Sequence, residues 1–259
     1  MNRAVCATTW REFKANKVRV IMLTLLILGP IFVFTWQRCN VPEALNCDLL
    51  TPPFMACFFT LLWGAGVIGR EVQHGTIGLV LARPLTIADY VFSKWMAVGI
   101  AASVCSVQAV WLEHIIGAVN CPSLLFQPEI FYNCLERILL CFGTAAFLVF
   151  LSSIVSGLKD LALLAGFGFC LLLAEGARSI INSMPFDWIA PWHDGLLKAS
   201  QIIAGTLIEL FYPYVPVSLF MVGNFSAIGS LVSYFTVIAC CLSLAIWALN
   251  RKEFSYAAD

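Results

Sequence analysis

Hydrophobic positions gather into six long runs, at about 18–36, 50–68, 95–112, 138–158, 161–177 and 228–249. A helix crossing a hydrocarbon core of about 30 Å needs roughly 20 apolar residues. The pattern therefore predicts an all-α integral membrane protein with six transmembrane helices. Only Lys159 and Asp160 separate the fourth and fifth runs, so these two form a tight helical hairpin. The first run is longer than the apolar core of a secretory signal and has no small-residue cleavage site behind it, so no cleavable signal is expected.

The polar interruptions carry more pattern than loops require. The richest is 69–95, GREVQHGTIGLVLARPLTIADYVFSKW. Val72, Thr76, Leu79 and Val80 recur at helical spacing, which predicts a short amphipathic helix over 71–81. Pro84 cannot continue that helix, and it pushes Arg83 toward an extended conformation. Thr86 followed by Asp89 is close to a capping box, and Leu85 and Tyr90 flank it as a hydrophobic staple. A second helix thus starts at Thr86 and runs through Lys94 into the third apolar run. An ordinary loop need only be polar, whereas this one has start and stop signals of its own. It presents Glu71 at the cytoplasmic surface, so Glu71→Arg is expected to leave the fold intact.

Two further stretches are amphipathic. In 1–17, Trp10 and Phe13 oppose Arg11, Lys14 and Lys17, which predicts an interfacial helix with aromatics in and basic side chains snorkelling out. In 178–227, Leu196, Leu197, Ile203, Leu207, Leu210 and Phe211 share one face, while Lys198, Gln201 and Glu209 share the other. That predicts an outer interfacial helix before span six. A seventh span is opposed by Glu209, Pro213 and Pro216.

Composition and charge sharpen this picture. The chain is 61% hydrophobic and 12% charged, against about 25% charged in soluble domains. Its formal net charge of zero argues against a nucleic-acid partner. Arg3, Arg11, Lys14, Lys17, Arg19, Arg70, Arg83, Lys94, Lys159, Arg251 and Lys252 fall on one side of the six-span arrangement. Only Arg38, Arg137, Arg178 and Lys198 fall on the other. The bias places both termini and the 69–95 loop in the cytoplasm.

Catalytic signatures are missing. There is no GxxxxGKS/T phosphate loop, no GxSxG and no HExxH. The GxGxxG letters at 64–69 lie inside an apolar run rather than after a strand. Gly64, Gly66 and Gly69 instead suit close helix packing. Ser152, Ser153 and the other mild polar residues within spans also read as packing residues. No metal site is expected, because no CxxC occurs and His74, His114 and His193 are scattered over both faces. Cys39, Cys47, Cys121 and Cys134 fall in outer loops and are candidates for disulfides. Glu175 and Arg178, at the outer end of span five, pair with each other or contact a substrate in an outer pathway. No titratable group lies at mid-membrane depth, which argues against an ion-coupled carrier.

The 69–95 loop resembles the first cytoplasmic loop of ABC type-2 transporter permeases. The resemblance rests on Glu71, Gly75-Thr76, the apolar 79–81 segment, Arg83-Pro84, Tyr90 and Lys94-Trp95, with Ser93 where the family has Gly. A weaker likeness lies in Arg251-Lys252 followed by Glu-Phe. It implies an elbow helix in 1–17, one six-span permease domain over 18–255 and a short cytoplasmic tail at 256–259. Glu71, Gly75, Thr76, Leu79, Arg83, Pro84, Tyr90 and Lys94 would form the coupling helix region that meets a separate ATPase. The partner ATPase would bind ATP and Mg, leaving this chain with no cofactor of its own and no enzyme activity. A second copy or a related permease would complete a dimer in the plasma (inner) membrane. The expected role is an exporter of a lipidic, amphiphilic or drug-like substrate. The alternative is a scaffold subunit of an ATPase-driven envelope assembly machine.

Overall fold

A computed structural model of the chain describes residues 3–15, 55–77, 86–118, 128–155 and 227–252. It also describes isolated positions at 17, 20, 21, 23, 24, 28, 29, 195, 199 and 215–217. The described elements are all helical: α1 (Arg3–Ala15), α2 (Met55–Gly64), α3 (Gly69–Gln73), α4 (Ile87–Ala118), α5 (Pro128–Ile154) and α6 (Ala227–Arg251). Among the described residues, three helices are long and apolar enough to cross a membrane: Ile87–Leu112, Pro128–Ile154 and Ile228–Arg251. These match the third, fourth and sixth apolar runs. The runs at 18–36 and 161–177 and the amphipathic segment before span six fall largely or wholly outside the described residues.

Local chemistry explains where these helices begin. Thr86 Oγ1 accepts the Asp89 backbone N–H at 3.1 Å and donates to the Asp89 carboxylate at 2.8 Å, which is the predicted N-terminal cap. Pro128 opens α5, where its missing N–H costs nothing, and Glu129 follows in the positive first turn. This start lies ten residues before the apolar run at 138. Cys134 is therefore a buried free thiol within α5 rather than an outer-loop residue.

The second apolar run departs from expectation. Helix α2 ends at Gly64, and a turn follows in which Gly66 adopts φ of 68°. Such a left-handed backbone is cheap only for glycine. The last residues of the run, through Ile68, thus form a turn and not the end of a spanning helix.

Contacts fix the helix directions. Cys57 lies 3.4 Å from Thr144, and Gly64 packs on Leu148, so α2 runs parallel to α5. Tyr234 donates to the Leu139 carbonyl at 2.8 Å and Lys252 to the Ile154 carbonyl at 3.1 Å, so α6 also runs parallel to α5. Helix α4 is antiparallel: Gly99 meets Phe142, and Val110 clusters with Ile130 and Cys134. The close approaches occur at small residues, as expected where lipid removes the hydrophobic drive and packing holds helices together. Helix α1 lies across α4, with Cys6 on the Ser93 carbonyl at 3.6 Å. Its aromatics were expected to enter the bilayer. In the structure the Phe13 ring stacks on Trp63 with centroids 3.5 Å apart and the Trp10 ring at 4.9 Å, while Trp10 remains 46% exposed.

Among the described glycines, Gly99 has the closest neighbour on another helix. A Cβ there would stand 2.5 Å from a Phe142 ring carbon, and that ring is held edge-on by Trp95. Gly99→Val is expected to cost about 1–3 kcal/mol through overpacking. Thermal unfolding in mild detergent checks this, and an unchanged midpoint would show that the α4–α5 seam yields freely.

Candidate functional site

The site is built on the turn between α2 and α4. Five residues of α3 cannot satisfy their own first donors, and its N-cap, Ile68, has no side-chain acceptor. Ser152 of α5 supplies one from across the bundle. Its hydroxyl accepts the Ile68 N–H at 3.0 Å and the Gly69 N–H at 2.9 Å. At the other end, His74 N–H closes onto the Arg70 carbonyl at 2.9 Å, and Gly75 takes φ of 66°. The chain is helical again at Thr76 and Ile77, and Ile77 is buried.

This geometry corrects the expectation of one helix over 71–81. The helix stops at Gln73 because Gly75 enters the left-handed region, which an L side chain rarely adopts. Gln73, His74, Gly75 and Thr76 form the exposed tip.

Glu71 points the other way. It is 7% exposed, and its carboxylate is held by two residues one turn apart on α4. Lys94 Nζ meets Oε1 at 2.5 Å, and the Tyr90 hydroxyl donates to Oε2. Tyr90 and Lys94 are themselves fully buried. The expectation that Glu71 is exposed is therefore overturned, and Glu71→Arg is expected to destabilise the bundle. An arginine there would set two cations together inside the bundle. The negative carboxylate must face inward because a buried Lys94 needs a partner.

The structure thus brings Glu71, Tyr90 and Lys94 together as an internal lock and leaves Gly75 and Thr76 at the exposed turn. Leu79, Arg83 and Pro84 lie outside the described residues, as do Glu175, Arg178, Cys39, Cys47 and Cys121. Ser152 is the functional residue that sequence reasoning passed over. Its letter, mid-span, reads as packing, and its partners lie 83 and 84 residues away. Arg137, counted on the outer side of the six-span arrangement, is buried on α5, as is its neighbour Glu136.

Chemically the lock offers a carboxylate, an ammonium and a phenol, tied to one another. No group of three metal-ligating side chains occurs among the described residues. The arrangement ties α3 to the first two turns of α4. Arg70, Arg251 and Lys252 gather at the same end of the bundle, where burial pulls the Lys252 pKa down. Compared with known proteins, the chain matches no family model, no curated protein and no solved structure.

Removing one partner of the pair leaves a buried charge. Lys94→Met is expected to destabilise by about 3–5 kcal/mol, while Glu71→Leu combined with Lys94→Met recovers most of that loss. Detergent-phase thermal unfolding of Lys94→Met, Glu71→Leu and the double variant reads the cycle; additive losses would mean that the pair does not interact. Ser152→Ala strands two donors and should cost about 1–3 kcal/mol by the same assay.

Proposed function

We propose that this chain is the permease subunit of an ATP-driven membrane transporter, coupled to a separate ATPase through the turn after α2. The observation that carries the reading is the Glu71–Tyr90–Lys94 lock beneath the exposed turn. A loop serving only as a connection has no need of a buried ion pair, whereas a lever does. A partner pressing on Gln73–Thr76 would move α3 against α4, and the lock would carry that movement into a 32-residue helix.

The six-span arrangement belongs to this proposal. Helices α5 and α6 run in the same direction, so the intervening chain passes from one end of the bundle back to the other. Basic residues at the turn end favour a cytoplasmic position for it and for both termini. ATP and Mg would be bound by the partner subunit. Two permease chains, identical or related, would enclose the pathway, and an exported amphiphile or lipid suits its apolar character.

Purification in mild detergent after co-expression with neighbouring genes is expected to recover a stoichiometric soluble ATPase. His74→Glu, at the exposed tip, should leave the unfolding midpoint unchanged while lowering ATPase association about tenfold, equivalent to about 1.4 kcal/mol. Recovery of the chain alone, or full association of the variant, would overturn the assigned docking surface.

A further inference from the structure

A cavity of about 520 Å³ lies between α1, α2 and α4, outside the locked turn. Its wall on α4 runs from Ala97 through Ile100 and Val104 to Gln108. Eleven residues of helix rise about 16 Å, close to half the hydrocarbon core, which is the depth of one leaflet. Trp10 and Trp63 form the opposite wall, and the lining is apolar over almost all of its length. The volume falls within the range of about 300–1,000 Å³ usual for ligand sites.

Among the described lining residues, Lys14 alone is charged. Lys14, on the exposed side of α1, lines the cavity, with its ammonium 5.2 Å from the Trp10 ring centre. Arg11 and Lys17 stand three residues to either side of it, and both are exposed. The recess is therefore apolar along a wall about one leaflet deep, with an exposed cation on its α1 side. We infer that it holds one acyl chain of an anionic phospholipid, with the phosphate at Lys14. Lipids with an anionic headgroup are drawn to such basic sites beside membrane helices. A neutral drug-like molecule would gain nothing from the basic cluster. A soluble anion would gain nothing from the apolar wall.

The inference does not depend on the permease reading, because it is tested by binding alone. The purified, delipidated chain in detergent is titrated with phosphatidylglycerol and, separately, with phosphatidylcholine, and bound lipid is counted by native mass spectrometry. Phosphatidylglycerol should bind more tightly by about fivefold or more. Val104→Trp should abolish binding of both lipids, since Val104 is half exposed and the larger ring fills the recess without entering the core. Lys14→Glu should remove the preference for the anionic lipid. Val232→Trp, on an exposed part of α6 far along the chain, is the control and should change nothing. If Val104→Trp fails to fold, Ile100→Trp on the same wall takes its place. Equal affinity for the two lipids, binding that survives the filled cavity, or equal loss in the Val232 control would each overturn the proposal.

Discussion

A charge inside a helical bundle must be answered by another, and the end of this bundle is arranged around that constraint. Lys94 is wholly buried at the start of a membrane-length helix, where an unpaired ammonium would be prohibitively unstable. Glu71 answers it from α3, and Tyr90 satisfies the second carboxylate oxygen. To bring Glu71 into place the chain must leave α2, turn and start a new helix within a few residues. Gly66 and Gly75 permit the two reversals, and Ser152 accepts the donors that the short helix cannot satisfy. The glycines, the serine and the broken helix all follow from placing one carboxylate.

Elsewhere the bundle is held by side chains from one helix that bind carbonyls of another. Trp95 donates to the Phe142 carbonyl at 2.9 Å, Tyr234 to Leu139 and Lys252 to Ile154. Each adds a second bond to a carbonyl or caps one left free at a helix end. In a bilayer apolar burial does little to hold helices together, so association rests on close packing and on contacts of this kind. Small residues bring the backbones near enough for them to form. Gly64 and Gly99 admit Leu148 and Phe142, and buried alanines line the α5 side of the seam.

Much of this was legible in the pattern of letters, and the failures have physical causes. Apolar runs gave three membrane-length helices because length and hydrophobicity are local properties. The Thr86–Asp89 cap was readable because its partners lie three residues apart. The break after Gly64 was not, since an apolar run looks the same whether helical or folded into a turn. The direction of Glu71 was misread for a related reason. A charged residue in a polar loop looks exposed until the lysine 23 positions later is known to be buried. Ser152 acts on backbone groups more than 80 residues away, and no spacing rule reaches that far.

The shared direction of α5 and α6 bears on the order in which the protein is made. Helix α6 begins 73 positions after α5 ends. At about 5–20 residues per second, several seconds of translation separate the two. Through that interval the face of α5 that will receive Tyr234 and Lys252 lies against lipid or against whatever has already been inserted. The carbonyl of Ile154 waits for a lysine made 98 positions later. The contacts between α5 and α6 therefore form only once the long stretch between them has been made.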